Sequence, residues 1–497
     1  MSVVQSFPMF SIVLGLLCAI ACFAAPRAWG RRITLALLLL SGVMQGCVLW
    51  YCYVNQASYR YQLGHYPAPW GSEITAGLLE PGMGLLCSAV MLLSVIGGGR
   101  HVGHDVADGK QHLYWVAVDL TLTALLAMCY TDDIFTAYVF IEICTISACA
   151  LLAVREGGRT LIASVRYMVF AIIGSSLFLI GVVFTYAITG QLLFQQLREA
   201  VAALWAAGTY RFAMTVAIGL MAAGLAVKSG CFPFHGWLPD AHSQATTASS
   251  CILSGVIVKG YAVLLIKIIY RAVGAEVFMA SGAQNVLLLL GIGGMVACSI
   301  DAIFAKRLKV MIAFSSAAQI GYLFMGIGMG TAAGLTAAGL QIVSHAITKP
   351  MLFLSGSQLA DASHGRMDFP SLRGAGHRNV PAGILFTIGA VSMVGVPLLA
   401  GFIPKLYFAR EAFALGWQRW PVLLGLAVST VLNVLYFLYT AVLIWLPQEA
   451  DCRFTAVKPH WDEFLPGFVL AGLNVAMGVH PGPLVALIDK AVALLGR

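Results

Sequence analysis

Five ionisable residues stand in or at the ends of long apolar runs of this sequence: Glu142, Lys228, Lys259, His345 and Lys405. Each is of a type that takes up and releases protons. A charge at bilayer depth costs roughly 2.5–3.5 kcal/mol on insertion scales, and it persists where it meets a partner or lines an ion path. Glu142, in AYVFIEICTISAC, reads as a proton-accepting carboxylate or the partner of a buried lysine, with a structural ion pair between helices as the alternative. Lys228 directly precedes a cluster of helix breakers. A lysine held between desolvation and a carboxylate can load or release a proton when that carboxylate moves. Lys259, in SGVIVKGYAVLL, has more than two turns of apolar sequence on either side.

The break after Lys228 is flanked by His235, Asp240 and His242. Histidine titrates near neutral pH and suits a proton relay; capping of frayed backbone is the plainer role. The His-x6-His spacing with an intervening Asp is a poor metal motif, so no metal is expected. His345 and Lys349, in QIVSHAITKPMLF, are four apart and share a helix face. They either connect two polar centres or form hydrogen-bonded core. Lys405, in VPLLAGFIPKLYF, sits at a second break and is the natural end of a buried polar chain. Asp132 and Asp133 open a helix, where carboxylates favour the N-terminus; they read as structural, with an ion entrance as the alternative. Lys267 and Arg271 read as snorkelling residues near a helix end. Taken in order, the five residues describe a proton or cation path along the membrane plane.

The elements that hold these residues must be membrane helices. The chain has 497 residues, is 60% hydrophobic and only 10% charged, against about 25% charged in soluble domains. Its 52 glycines suit close helix packing in lipid. The alternation of a barrel is absent. The fold class is therefore all-α polytopic membrane protein, with the lipid bilayer as its surroundings. The net charge of +8 falls in short loops without aromatic interleaving, which excludes nucleic acid as a partner. MSVVQSFPMF lacks a positive n-region, so no removable signal peptide is expected. Twelve cysteines are scattered, with no CxxC pair. Cys18 and Cys22 read as small packing residues. No haem, iron–sulfur or zinc signature occurs, so no cofactor is expected in this chain, and redox cofactors would sit in partner subunits.

About fourteen apolar windows are long enough to span. They lie near 8–25, 33–54, 75–97, 113–130, 133–153, 161–188, 212–228, 249–270, 277–298, 308–329, 332–354, 381–409, 418–446 and 464–480. A polar loop rich in Tyr and Pro runs up to Trp70, and an amphipathic piece spans Gln191 to Ala207. The odd-numbered loops carry most of the charge, including Arg27, Arg31, Arg32, Arg100, Lys110, Arg155, Arg159, Lys306, Arg307, Lys309, Arg453 and Lys458. The positive-inside rule then places those loops in the cytoplasm and both termini outside. There is an internal echo. The seventh window is interrupted by Gly230, Pro233, Gly236 and Pro239 after Lys228, and the twelfth by Gly395, Pro397, Gly401 and Pro404 beside Lys405. Paired interruptions are the trace of an inverted repeat in transporter-type folds.

The run KSGCFPFHGWLPDAHSQATTASSCILSGVIVK resembles the signature of the antiporter-like subunits of respiratory complex I, of Mrp-type Na+/H+ antiporters and of membrane-bound energy-converting hydrogenases. DDIFTAYVFIEICTISACALLA, RLKVMIAFSSAAQIGYLFMGIG, SHAITKPMLFLSGSQL and VGVPLLAGFIPKLYF look like further segments of that family, in its order. The resemblance covers roughly residues 115–410. It implies fourteen helices with two inverted five-helix repeats and broken helices 7 and 12. The divisions are then 1–112 (helices 1–3), 113–271 (first repeat, helices 4–8), 272–446 (second repeat, helices 9–13) and 447–497 (helix 14 and tail).

The resemblance also assigns the carboxylate–lysine pair to Glu142 and Lys228, the central bridge to Lys259 and His345, and the outlet to Lys405. The sequence departs from the family at SQATTASS, where many relatives have prolines, and at KRLKVMIAFSS, where an acidic residue is often found. With no long lateral helix after the fourteenth, the chain does not look like the longest, distal subunit type. The implied function is a proton- or Na+-translocating membrane subunit of a redox-driven complex in a prokaryotic plasma membrane, with other membrane subunits as partners. The alternatives are the large subunit of a Mrp-type antiporter and a structural membrane arm. The chain shows no catalytic site for quinone, hydrogen or NADH.

Overall fold

The computed structural model describes residues 3–62, 66, 71–447 and 460–495. Arg453, Lys458 and the stretch leading to Trp70 lie outside those residues. The first six long helices are α1 (Phe7–Ala24), α2 (Gly30–Asn55), α3 (Leu79–Asp105), α4 (Gln111–Tyr130), α5 (Ile134–Ala153) and α6 (Gly158–Thr189). The short α7 (Phe194–Ala206) follows, then α8 (Arg211–Ser229) and α9 (Trp237–Gln244). One continuous span, α10 (Thr247–Val273), comes next. The second half holds α11 (Ala283–Phe304), α12 (Leu308–Gly328), α13 (Ala332–Asp361), α14 (Val380–Val394), α15 (Phe402–Ala412) and α16 (Arg419–Leu443). The chain closes with α17 (Trp461–Val479) and α18 (Gly482–Leu495).

Among the described residues, twelve helices are long and apolar enough to cross a membrane. The other two expected windows are helical as well. One is α13, 30 residues long, which runs through Pro350. The other is the pair α14 and α15, separated by a break. The ninth window was expected near 277–298. Its long helix starts later, at Ala283, because Ser281–Gly282 turns the chain after a short helix at Ala275–Ala280.

Burial sorts the helices. The apolar stretch of α10 is wholly buried, leaving only Tyr270 and Arg271 near its end partly exposed, and α12 and α13 are nearly so. On α1, α6 and α16 one side is open, with exposed Leu17, Ile20, Leu161, Ile162, Leu424 and Val431. That is the arrangement of a lipid-facing ring around a protein-lined centre. Small residues bring the backbones together: a Cβ on Gly321 of α12 would meet Gly291 O of α11 at 2.6 Å, and one on Gly224 of α8 would meet Gly174 O of α6 at 2.5 Å.

The loop between α2 and α3 holds an antiparallel hairpin, β1 (Tyr59–Gln62) with β2 (Glu73–Ala76), Tyr59 opposite Ala76. The helix α7 buries Phe194, Leu197 and Val201, as its amphipathic pattern requires. Both chain ends meet at this end of the bundle. Gln5 donates to the Tyr51 hydroxyl at 3.2 Å, and Lys490 of α18 lies 4.6 Å over the Tyr53 ring.

Candidate ion-conduction site

The first break follows from glycine chemistry. Gly230 takes φ +70°, a left-handed value that side chains resist, and ends α8 with its N–H on Val227 O. The Cys231 N–H reaches back to Ala226 O, closing a Schellman-type cap. Lys228 therefore sits in the last turn before the break, buried to 3% exposure. Its Nζ donates to the Thr145 hydroxyl, lies 3.9 Å from Glu142 Oε1 and stands 5.8 Å over the Tyr261 ring. Glu142 and Thr145 are three apart on α5, so one helix face presents both. The Glu142 side chain is 29% exposed, so the pair borders the lipid-facing flank rather than the centre.

Lys259 is fully inside α10, where a π-helical stretch, Leu253–Ile257, widens the turn. Its Nζ donates to Ser254 O, and the Ser254 hydroxyl meets Ser316 Oγ at 2.9 Å. Such π turns are frequent at functional sites. His345 and Lys349 lie buried one turn apart on α13. Lys349 Nζ donates to Ile312 O at 3.0 Å and to the Ser315 hydroxyl, 5.5 Å over the Phe437 ring. His345 Nε2 has no hydrogen-bond partner, and it lies in the electrostatic field of Lys259, Lys349 and His242. His242, on α9, stacks on Phe353 at 4.8 Å with both ring nitrogens unpartnered. Buried imidazoles in this state call for water.

The second break is built differently. Gly395 takes φ +91°, and a Cβ there would meet the Lys405 side chain at 2.9 Å. The bare glycine lets Lys405 Nζ reach Val394 O at 2.7 Å and Met393 O at 3.2 Å, the last carbonyls of α14. A cation at a helix C-terminus is favoured by the helix dipole. Lys405 is half-buried, 5.6 Å over the Tyr322 ring. The Tyr322 hydroxyl donates to Ser429 Oγ at 3.0 Å, and Gln341 donates to Gln319 at 2.7 Å, one turn from His345. Among the described residues, Glu142–Lys228 is the one direct ion pair in the row; hydroxyls, amides and aromatic faces lie between the other members.

Two relay candidates stand elsewhere. Asp240 is paired with Arg166 at the surface, and His235 Nε2 lies 3.1 Å from Asp301 Oδ2. His242 alone of that trio joins the buried basic groups. The reading of Lys267 and Arg271 as snorkelling ends is corrected. Lys267 is fully buried with Nζ 2.7 Å from Thr131 O, and Arg271 Nη1 pairs with Glu80 Oε1 at 2.7 Å, because α3, α4 and α7 close over that end of α10. Lys309, counted as a loop charge, is buried in the first turn of α12, donating to Ala245 O at 3.1 Å. Asp119 of α4 was not singled out, yet it is buried and accepts from Cys22 Sγ at 3.2 Å. Lys267 lies eight residues, just over two turns, after Lys259 towards the end of the apolar run, where sequence alone does not separate burial from snorkelling. Among the described residues, no three His, Cys, Asp or Glu side chains converge as a metal site.

Residues 131–432 match the family model described as NADH:quinone oxidoreductase/Mrp antiporter, TM. A sequence named NADH-quinone oxidoreductase subunit N from Desulforudis audaxviator is 30% identical over 431 residues, 85% of this chain and 83% of its own. One of the same name from Heliobacterium modesticaldum is 27% identical over 419 residues, 83% of each. The fold matches a chain of the archaeal membrane-bound sulfane sulfur reductase, an archaeal respiratory membrane complex, with TM-score 0.89 and 24% identity over 100% of this chain and 98% of that one. It also matches a chain of the Mrp complex from Dietzia sp. DQ12-45-1b, with TM-score 0.87 and 20% identity over 100% and 98%. A chain of respiratory complex I from Thermus thermophilus gives TM-score 0.75 and 21% identity over 97% and 99%. With its long apolar helices, its broken α8 and α14, and a family match over more than half its length, the chain belongs to the NADH:quinone oxidoreductase/Mrp antiporter transmembrane family.

Proposed function

We propose that this chain is a proton-translocating, antiporter-like membrane subunit of a multisubunit redox-driven complex. The observation that carries the reading is the buried Lys228 at a helix break, 3.9 Å from Glu142, with Lys259, His345 and Lys349 buried beyond it. A partner subunit perturbs Glu142, which borders the open flank. The pair opens or closes, Lys228 gains or loses its proton, and the change passes through Lys259 and His345 to Lys405 at the second break. Moving one charge against 100 mV costs about 2.3 kcal/mol; a protonation equilibrium displaced by about two pKa units supplies roughly 2.7 kcal/mol. Redox cofactors belong to partner subunits in this reading. The two halves are the inverted repeats 113–271 and 272–446, with both termini on the outer face of a prokaryotic plasma membrane. Lys228→Ala in the assembled complex tests it: loss of proton pumping is expected, and full pumping refutes the path.

A second reading, the large subunit of a Mrp-type Na+/H+ antiporter, rests on the matching family model, whose description names the Mrp antiporter beside NADH:quinone oxidoreductase. The sequence relatives named NADH-quinone oxidoreductase favour the first. Co-purifying subunits decide between them: electron-transfer modules support the redox-driven complex, and small antiporter subunits alone support the exchanger.

A further inference from the structure

The end of the bundle that carries both termini holds a second buried charge cluster, apart from the row. Glu80 at the start of α3 is fully buried; its Oε2 accepts from the Gly77 N–H at 2.7 Å, and its Oε1 is ion-paired with Arg271 Nη1 at 2.7 Å. Lys267 has no such partner. Among the described residues no carboxylate oxygen lies within 4.0 Å of its Nζ, which rests on the carbonyls of Thr131 and Cys129. Asp132, in the turn between α4 and α5, is 3% exposed. Its backbone is fully engaged, N–H to Glu73 O at 3.0 Å and carbonyl to Phe194 N at 2.8 Å. Its carboxylate Oδ1 is buried without a hydrogen-bond partner.

Asp132 lines a polar cavity of about 280 Å³ between the hairpin, α7 and the end of α10. That volume holds several waters. Phe194 forms part of the same wall, and Lys267 Nζ lies 5.8 Å over its ring. The charges around the site are Arg60, Arg198, Arg271 and Lys267 against Glu73, Glu80, Asp132 and Glu199, with Asp133 beside them. Guanidinium groups line the cavity as heavily as carboxylates do, which disfavours a hard metal cation, whose sites are built from oxygen ligands. A buried carboxylate oxygen with no donor is costly; bound water supplies the missing bond.

We propose that this cavity is a proton-exchange port, serving the first half of the chain independently of Lys405. Asp132 is the group that meets cavity water, and Lys267 is the group behind it. In the inward step the proton of the Asp132 carboxylic acid passes through an intervening water to the neutral Lys267 amine, which lies beyond direct contact with any carboxylate among the described residues, leaving a carboxylate and an ammonium, and cavity water then re-protonates Asp132. Release is the reverse. Lys267 lies eight residues from Lys259 on α10, about 12 Å along the axis, which places the port at the end of the helix that carries the centre of the row.

The port rests on the conduction reading above, and the experiment separates the two. Proton translocation per electron is measured for the assembled complex in proteoliposomes with Asp132→Asn, Asp132→Glu, Lys267→Gln and, as reference, Lys228→Ala. Loss in Asp132→Asn and Lys267→Gln with retention in Asp132→Glu is expected. Normal translocation in Asp132→Asn while Lys228→Ala is inactive overturns the port alone. Normal translocation in Lys228→Ala overturns the conduction reading itself. If Asp132→Asn fails to assemble, Thr75→Cys in a Cys47→Ser background decides. Thr75 is a buried residue of the cavity wall, so labelling of intact cells by a small membrane-impermeant thiol reagent is expected. Absence of labelling, with the unfolded chain reactive, overturns the port.

Discussion

Glu142→Gln removes one charge, keeps the shape, and leaves Lys228 in place. Two unit charges 3.9 Å apart interact by about 4 kcal/mol at an effective dielectric of about 20. The glutamate side chain is 29% exposed, and screening on that side leaves roughly half, about 2 kcal/mol. That is about thirtyfold in any equilibrium the pair biases, and it matches the roughly 2.3 kcal/mol needed to move a charge against 100 mV. The substitution is therefore expected to lower proton translocation per electron by roughly ten- to thirtyfold, with Glu142→Asp retaining part of it. The assay is dye-reported acidification in proteoliposomes containing the intact complex, normalised to electron transfer. Wild-type translocation by a fully assembled Glu142→Gln complex would falsify the role of the pair.

Lys405→Met leaves the Met393 and Val394 carbonyls without their charged donor; a loss of about 2 kcal/mol is expected in thermal unfolding, together with loss of transport, while Lys405→Arg retains the stability. Asp133 accepts from the N–H groups of Phe135 and Thr136 at 2.8 Å, so Asp133→Ala removes an N-cap and is expected to cost about 1 kcal/mol in chemical denaturation with transport preserved. Gly321→Val drives a side chain into Gly291 O and Met295 N, with an expected cost of 1–3 kcal/mol or more, read as a lower melting temperature or poor recovery from the membrane.

The helices were legible because apolar length is a strong signal, and both breaks because Gly and Pro cluster beside a lysine. Lys228, Lys259, His345 and Lys349 were legible as buried groups for the same reason: apolar sequence surrounds them. The hairpin at Tyr59 was not, since its strands are four residues long and β2 is buried by tertiary contacts rather than by alternation. Lys267 and Lys309 were hidden by position. Near a helix end, snorkelling and burial look alike in sequence, and only the elements folded over them decide. Asp240 was equally hard to place, since its partner, Arg166, comes from the exposed side of α6, far from it in sequence.

Where Gly291 and Gly321 oppose each other, no layer of side chains is left to slide. Two rods touching through their main chains turn as a single lever, so α11 and α12 offer a fixed fulcrum. Whatever shape change accompanies a transport cycle then falls to the segments whose ladders are already irregular: the interrupted pairs α8–α9 and α14–α15, and the widened turns of α10.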